Sequence, residues 1–139
     1  MNRWQQLMQK GNSLYNLNQW NDALNYYNQA ILLLESAISI ETTTTQQAIQ
    51  GWICAYHNVA TTYEQQGFID RSRDALVTPF NTMLALTNDS NISPEMQLIT
   101  HQALHITLPP LLEFANNHPS EFQFINKLVG HINTYEHLH

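Results

Sequence analysis

Three small residues, Gly11, Ala23 and Ala30, stand in the stretch GNSLYNLNQWNDALNYYNQA at offsets that let two antiparallel helices lie against each other. The flanking residues keep a helical period. Trp4, Leu7, Met8, Leu14 and Tyr15 recur three or four apart, which predicts an amphipathic helix from about Asn2 to Leu17. Ala23, Leu24, Tyr27, Ala30, Ile31 and Leu34 form the apolar stripe of a second helix starting near Trp20 or Asn21, which leaves Asn18 and Gln19 as the turn. A glycine inside a helix costs about 1 kcal/mol relative to alanine, so Gly11 is expected to serve the close approach of a neighbouring helix.

The same alphabet continues along the chain. Thr42 to Thr45 are β-branched and hydroxyl-bearing, poor in a helix interior but suited to a turn and an N-cap. A third helix is predicted over about Gln46 to Gln66, with Ile49, Trp52, Ile53, Tyr56, Ala60 and Tyr63 inward and Gly67 closing it. A fourth runs from about Asp70 to Leu86, with Ala75, Leu76, Phe80, Met83 and Leu84 inward and a kink expected near Thr78 from Pro79. After the turn cluster NDSNISP, Ser93 and Pro94 open a fifth helix. Its two sides, Met96, Ile99, Ala103 and Ile106 against Leu98, His101, His105 and Leu108, are both apolar enough to suggest burial on both. Pro109 and Pro110 should end it by forcing Leu108 out of helical conformation. A short helical stretch at Leu111 to Ala115 and a last helix over about Ser120 to Glu136, with Phe122, Ile125, Leu128, Val129, Ile132 and Tyr135 at helical spacing, complete the chain.

Leu7, Gly11, Leu14, Tyr15, Trp20, Ala23, Tyr27 and Ala30 together resemble the tetratricopeptide repeat, a helix hairpin of about 34 residues. Lys10 stands where that family usually has leucine, and Glu35 where a proline often closes the repeat. A weaker copy follows. Ala60, Tyr63, Gly67, Ile69, Ser72, Leu76 and Pro79 fall 49 residues after Gly11, Leu14, Asn18, Trp20, Ala23, Tyr27 and Ala30, so the joining helices must be longer than standard. The resemblance implies an all-α single domain over 1–139, with antiparallel hairpins (2–40 and 46–87) and a helical last third (93–137). These would stack as a short right-handed superhelix of about six to seven helices, the last third serving as a degenerate hairpin or cap.

Function is approached first by exclusion. Five Lys plus Arg against eleven Asp plus Glu give a net charge of −6, the wrong sign for nucleic acid or an anionic membrane surface. Charged residues are only 12% of the chain, and Asn, Gln and Thr supply the polar surface. The first residues lack an apolar stretch of signal-peptide length, and the longest compact apolar run, Ala30 to Leu34, is too short to span a bilayer, so a cytoplasmic protein is expected. Cys54 is the single cysteine, which rules out an internal disulfide, and it reads most simply as a small buried hydrophobe. Cys54 with His57 lacks an oxyanion hole or an orienting third group, and no glycine-rich phosphate loop is present, so no enzyme and no cofactor is expected.

In the repeat family, ligands lie in the concave surface lined by the first helix of each hairpin. Carried over, that implies a peptide-binding groove of Gln5, Met8, Asn12 and Tyr15 with Cys54, His57, Thr61 and Glu64, near neutral in charge. Some members clamp a peptide's C-terminal carboxylate with lysines and asparagines. Only Asn12 fits here, since Met8, Cys54 and His57 carry no fixed positive charge, so that clamp is not expected. The leading expectation is a protein-interaction or chaperone-like module holding a peptide segment of a protein partner. Small acidic repeat proteins that hold bacterial secretion substrates are one version. Two further readings stand beside it: a metal- or pH-responsive sensor using His101 and His105, four apart on one helix face, and a homodimer built on the fifth and last helices. The segment HQALH lacks the glutamate of a zinc-protease helix, and its nearest conceivable third ligands are Glu113 or His57. His131, His137 and His139 cluster near the end of the chain as solvated residues.

Overall fold

The computed structural model describes residues 1–39 and 45–138; the expectations at Ile40, at 42–44 and at the side chains of Tyr135, His137 and His139 lie outside the described residues. Among the described residues the protein is all-α: α1 (Arg3–Asn16), α2 (Trp20–Ser39), α3 (Thr45–Gln65), α4 (Ile69–Thr87), α5 (Pro94–Ile106), α6 (Leu108–Asn117) and α7 (Phe122–Leu138), with a 3-10 turn at Pro119–Glu121. By contacts the chain forms two compact units, Met1–Thr78 and Pro79–His139. The divide falls inside α4 at Pro79, whose missing N–H takes one rung from the helix ladder.

In the first unit, α1 is opened by a reciprocal cap. The Asn2 side chain accepts from the Gln5 backbone N–H and the Gln5 side chain accepts from that of Asn2, both at 3.1 Å. α1 packs on α2 and α2 on α3, around a core of Leu7, Ala23, Tyr27, Ala30, Leu34, Ile49 and Ile53. Gly11 has the expected use: a Cβ there would stand 2.6 Å from Tyr27 Cε1, so the glycine is the recess for that ring. Gly51, to which the sequence assigned no part, does the same for another aromatic. A Cβ on it would meet Trp4 Cη2 at 2.7 Å and Leu34 Cδ2 at 3.2 Å. Trp4 against Gly51, with Asn12 bonded to Asn58, sets α1 and α3 side by side and parallel.

The 49-residue repeat holds bond for bond at the turns. After α1, Asn18 donates to Tyr15 O at 2.9 Å, Gln19 to Leu14 O at 2.9 Å and Ala23 to Gln19 O at 3.0 Å. After α3, Gly67 donates to Glu64 O at 3.0 Å, Phe68 to Tyr63 O at 2.9 Å and Ser72 to Phe68 O at 3.0 Å. Both are Schellman caps whose pivot is left-handed, Asn18 at φ 60 and Gly67 at φ 81. Ser72 Oγ adds a buried bond to Ala60 O at 2.8 Å, tying α4 to α3 at the pair corresponding to Ala23 and Gly11.

In the second unit, Ser93 Oγ caps α5 by accepting from Met96 N at 3.1 Å, with Pro94 in the first turn as expected. Two sequence expectations change here. α5 is not buried on both sides: Leu98 is 58% and Ile106 46% exposed, and the inward face is Thr100, Ala103 and Leu104. Thr100 can be inward because its hydroxyl reaches the Gln97 carbonyl at 3.0 Å and Thr87 Oγ1 at 3.2 Å. The break before the two prolines falls at Thr107, not Leu108, which starts α6. Thr107 is fully buried and its hydroxyl donates to Leu104 O at 2.6 Å, the carbonyl that its backbone N–H also meets at 3.1 Å, so both of its donors are satisfied at the break. Pro109 and Pro110 then sit in the first turn, where no N–H is missed. On α7, Ile125 and Ile132 are buried while Phe122 and Phe124 are half exposed.

Candidate functional site

α1 and α3 border an open cleft of about 340 Å³ lined by Asn12, Tyr15, Asn16, Tyr27, Asn58 and Thr61. Its organising contact begins in the core. Tyr27 is 2% exposed, its ring held by Gly11, and its hydroxyl emerges at the cleft floor to donate to Asn12 Oδ1 at 2.7 Å. Asn58 Nδ2 approaches the same oxygen at 3.4 Å. With Oδ1 occupied by two donors, Asn12 presents its amide nitrogen as a donor, and Asn58, its nitrogen engaged, presents Oδ1 as an acceptor. Thr61 Oγ1 bonds back to His57 O at 3.0 Å, so its hydroxyl proton is taken by its own helix. Tyr15 forms one wall, braced edge-to-face on Trp20 with ring centres 5.0 Å apart.

Among the described residues, no charged side chain lines this cleft. The cations of the first unit are placed elsewhere: Arg3 borders a separate hollow with Asn2 and Trp4, Lys10 lies over the Tyr26 ring at 5.2 Å, Arg71 over Phe68 at 5.1 Å, and Arg73 pairs with Asp70 at 3.6 Å and Asp74 at 3.2 Å. Burial drives the Tyr27 phenol up to about 12, with Tyr15 and Cys54 adding to the shift, so it stays a neutral donor at any physiological pH.

Of the eight residues expected in a groove, the structure gathers Asn12, Tyr15 and Thr61 at this cleft. Gln5 is occupied in the α1 cap, and Met8 is 7% exposed and packs in the hairpin. Cys54 is exposed, yet the apolar mass beside it still pushes its thiol up, away from a reactive thiolate. His57 is half-buried; its Nε2 is shut off from water and meets no hydrogen-bond partner among the described residues, and burial lowers its pKa. Glu64 is half-buried near the end of α3. The sequence reading missed Asn16, Tyr27 and Asn58 at the cleft. Asn16 was within reach, being four residues after Asn12 and hence on the same face. Asn58 carried the same signal, four residues after Cys54 and three before Thr61 on α3, whereas Tyr27 read as core because only its hydroxyl reaches the cleft.

In the second unit, the His101 and His105 rings stand 5.0 Å apart, edge to face. No group of three His, Cys, Asp or Glu able to hold a metal occurs among the described residues, so Glu113 does not join the pair. No helix among them is long and apolar enough to cross a membrane.

Among known families, one described as a protein of unknown function (DUF2753) has a model that matches residues 2–138. No curated protein and no solved structure matches the chain.

Proposed function

We propose that this chain, which belongs to the DUF2753 family, is a protein-interaction module that binds an extended peptide segment in the cleft between α1 and α3. The observation that carries the reading is the donor and acceptor set side by side in an uncharged cleft, Asn12 Nδ2 and Asn58 Oδ1. A residue in an extended chain turns its own N–H and C=O to the same side, the complement of that pair. The Tyr15 ring supplies an apolar wall for a side chain next to the bonded unit, and the absence of lining charge selects an internal stretch of chain over a free carboxylate. The likeness to tetratricopeptide hairpins supports the same reading, since the turns and small-residue contacts repeat as such hairpins require. The place of action under this proposal is the cytoplasm, where the exposed Cys54 thiol stays reduced.

Peptides enriched from an unbiased displayed library on the tag-free chain test the reading by calorimetry. Each neutral hydrogen bond contributes about 0.5–1.5 kcal/mol and about 1.4 kcal/mol is tenfold. Tyr15→Ala with Asn58→Ala should therefore weaken binding about tenfold or more at unchanged helicity, and N-methylation of one peptide bond in the ligand should do the same. A library that enriches nothing, or peptides that bind the double variant as well as the parent, would remove this function.

A further inference from the structure

We propose that His101 and His105 form a two-nitrogen chelate for a borderline divalent transition ion, Zn²⁺, Ni²⁺ or Cu²⁺, on the surface of the Pro79–His139 unit. The pair lies on the regular helix α5 at i and i+4, so both rings project from one face. Their centres are 5.0 Å apart. Two imidazoles each bound at ~2.1 Å to one ion, with a near-tetrahedral angle between them, place their ring centres ~5 Å apart. The separation thus already matches chelation.

Three surrounding features favour a cation there. His105 is exposed and His101 partly so, giving an aqueous ion direct access. His105 occupies the last turn of α5, the negative end of the helix dipole, where a bound positive charge is stabilised. Between Arg73 and Lys127 the sequence has no Lys or Arg, while it carries Asp74, Asp89, Glu95, Glu113 and Glu121. The Pro79–His139 unit thus carries a single Lys, Lys127, against Asp89, Glu95, Glu113, Glu121 and Glu136, a net negative balance that favours a divalent cation. Imidazole donors select ions of intermediate softness over Mg²⁺ or Ca²⁺, and the remaining coordination positions go to water. Protons compete for the same nitrogens, so affinity falls on acidification.

Calorimetric titration of the tag-free full chain with each metal salt, CuCl₂, NiCl₂ and ZnCl₂ in turn, should give one ion per chain, with Cu²⁺ held most tightly. His101→Ala or His105→Gln should each weaken binding by at least the tenfold that loss of even an outer-shell partner costs. His137→Ala with His139→Ala should leave it unchanged. On the unaltered protein, line broadening by Cu²⁺ should centre on the α5 amides around His101 and His105. Absence of saturable binding, unchanged affinity in the two α5 variants, loss of binding in the C-terminal double variant, or broadening centred elsewhere would each overturn the assignment.

Discussion

The two recess glycines differ in what stands against them. At Gly11 an added methyl would meet Tyr27, a ring that is 2% exposed and tied by its hydroxyl to Asn12 at 2.7 Å, so it has nowhere to move. Gly11→Ala is expected to cost about 1–3 kcal/mol in urea unfolding, even after the helix-propensity gain of about 1 kcal/mol. At Gly51 the obstacle is the outer edge of the half-buried Trp4 ring. Gly51→Ala should therefore cost less in a Trp4→Leu background, with a coupling of about 0.5–3 kcal/mol; costs that simply add would show that the ring is not the cause. Gly11 was legible in the sequence because it sits beside a spaced set of small residues. Gly51 was not, because its need arises from a tryptophan 47 residues earlier that only the packed structure brings to it. The three buried threonines of the second unit, Thr87, Thr100 and Thr107, escaped for the same reason: polar residues read as surface until their partners are known.

Element ends were the most legible part of the chain, since they are written in local chemistry. Ser93 with Pro94, Asn18 at its turn and Gly67 after α3 all stand where their types predict. The two left-handed pivots make a comparison possible within one molecule. An added Cβ at Gly67 meets nothing within 4 Å, so substitution there is limited to backbone strain. Gly67→Ala should cost about 1–2 kcal/mol, while Gly67→Asn, which copies the residue that already serves at Asn18, should cost measurably less in thermal unfolding. Equal losses for both would mean that the turn after α3 is not held at positive φ by its cap. What periodicity could not give was the number of neighbours a helix has. α5 shows two apolar sides in sequence, but only the Thr100, Ala103 and Leu104 side is covered, which leaves Leu98 and Ile106 in water.

For the molecule as a whole, buried titratable groups set a pH window. Burial holds His57 below its ordinary value, so the unfolded chain takes up that proton first as the pH falls. Stability is then full above the ordinary imidazole value of about 6.5 and declines as the pH drops toward the lower folded one. Tyr27 works in the opposite direction. Its phenol is raised from 10.0 to about 12, so the unfolded chain ionises first and stability declines as the pH rises across that interval. Urea midpoints should show a plateau from pH ~6.5 to the ordinary thiol value of 9.0, above which the raised Cys54 thiol acts in the same sense as Tyr27, and His57→Gln should reduce the loss just below pH ~6.5; an identical acid slope in the variant would assign that loss to another group. The 49-residue recurrence was readable from the sequence before any of this, whereas the division at Pro79 was not, because a proline announces a local break and not where contacts cease.

The packing of consecutive helices also governs how quickly the native state can be reached. α1 is joined to α2, and α3 to α4, through turns of three residues, Leu17 to Gln19 and Gln66 to Phe68. Each hairpin therefore closes at little entropic cost, and its pivot sets the chain reversal before any distant segment has arrived. Contacts so local in sequence belong to the low-contact-order class that folds in microseconds to milliseconds. An emerging chain can complete its first hairpin while most of it is still to be made.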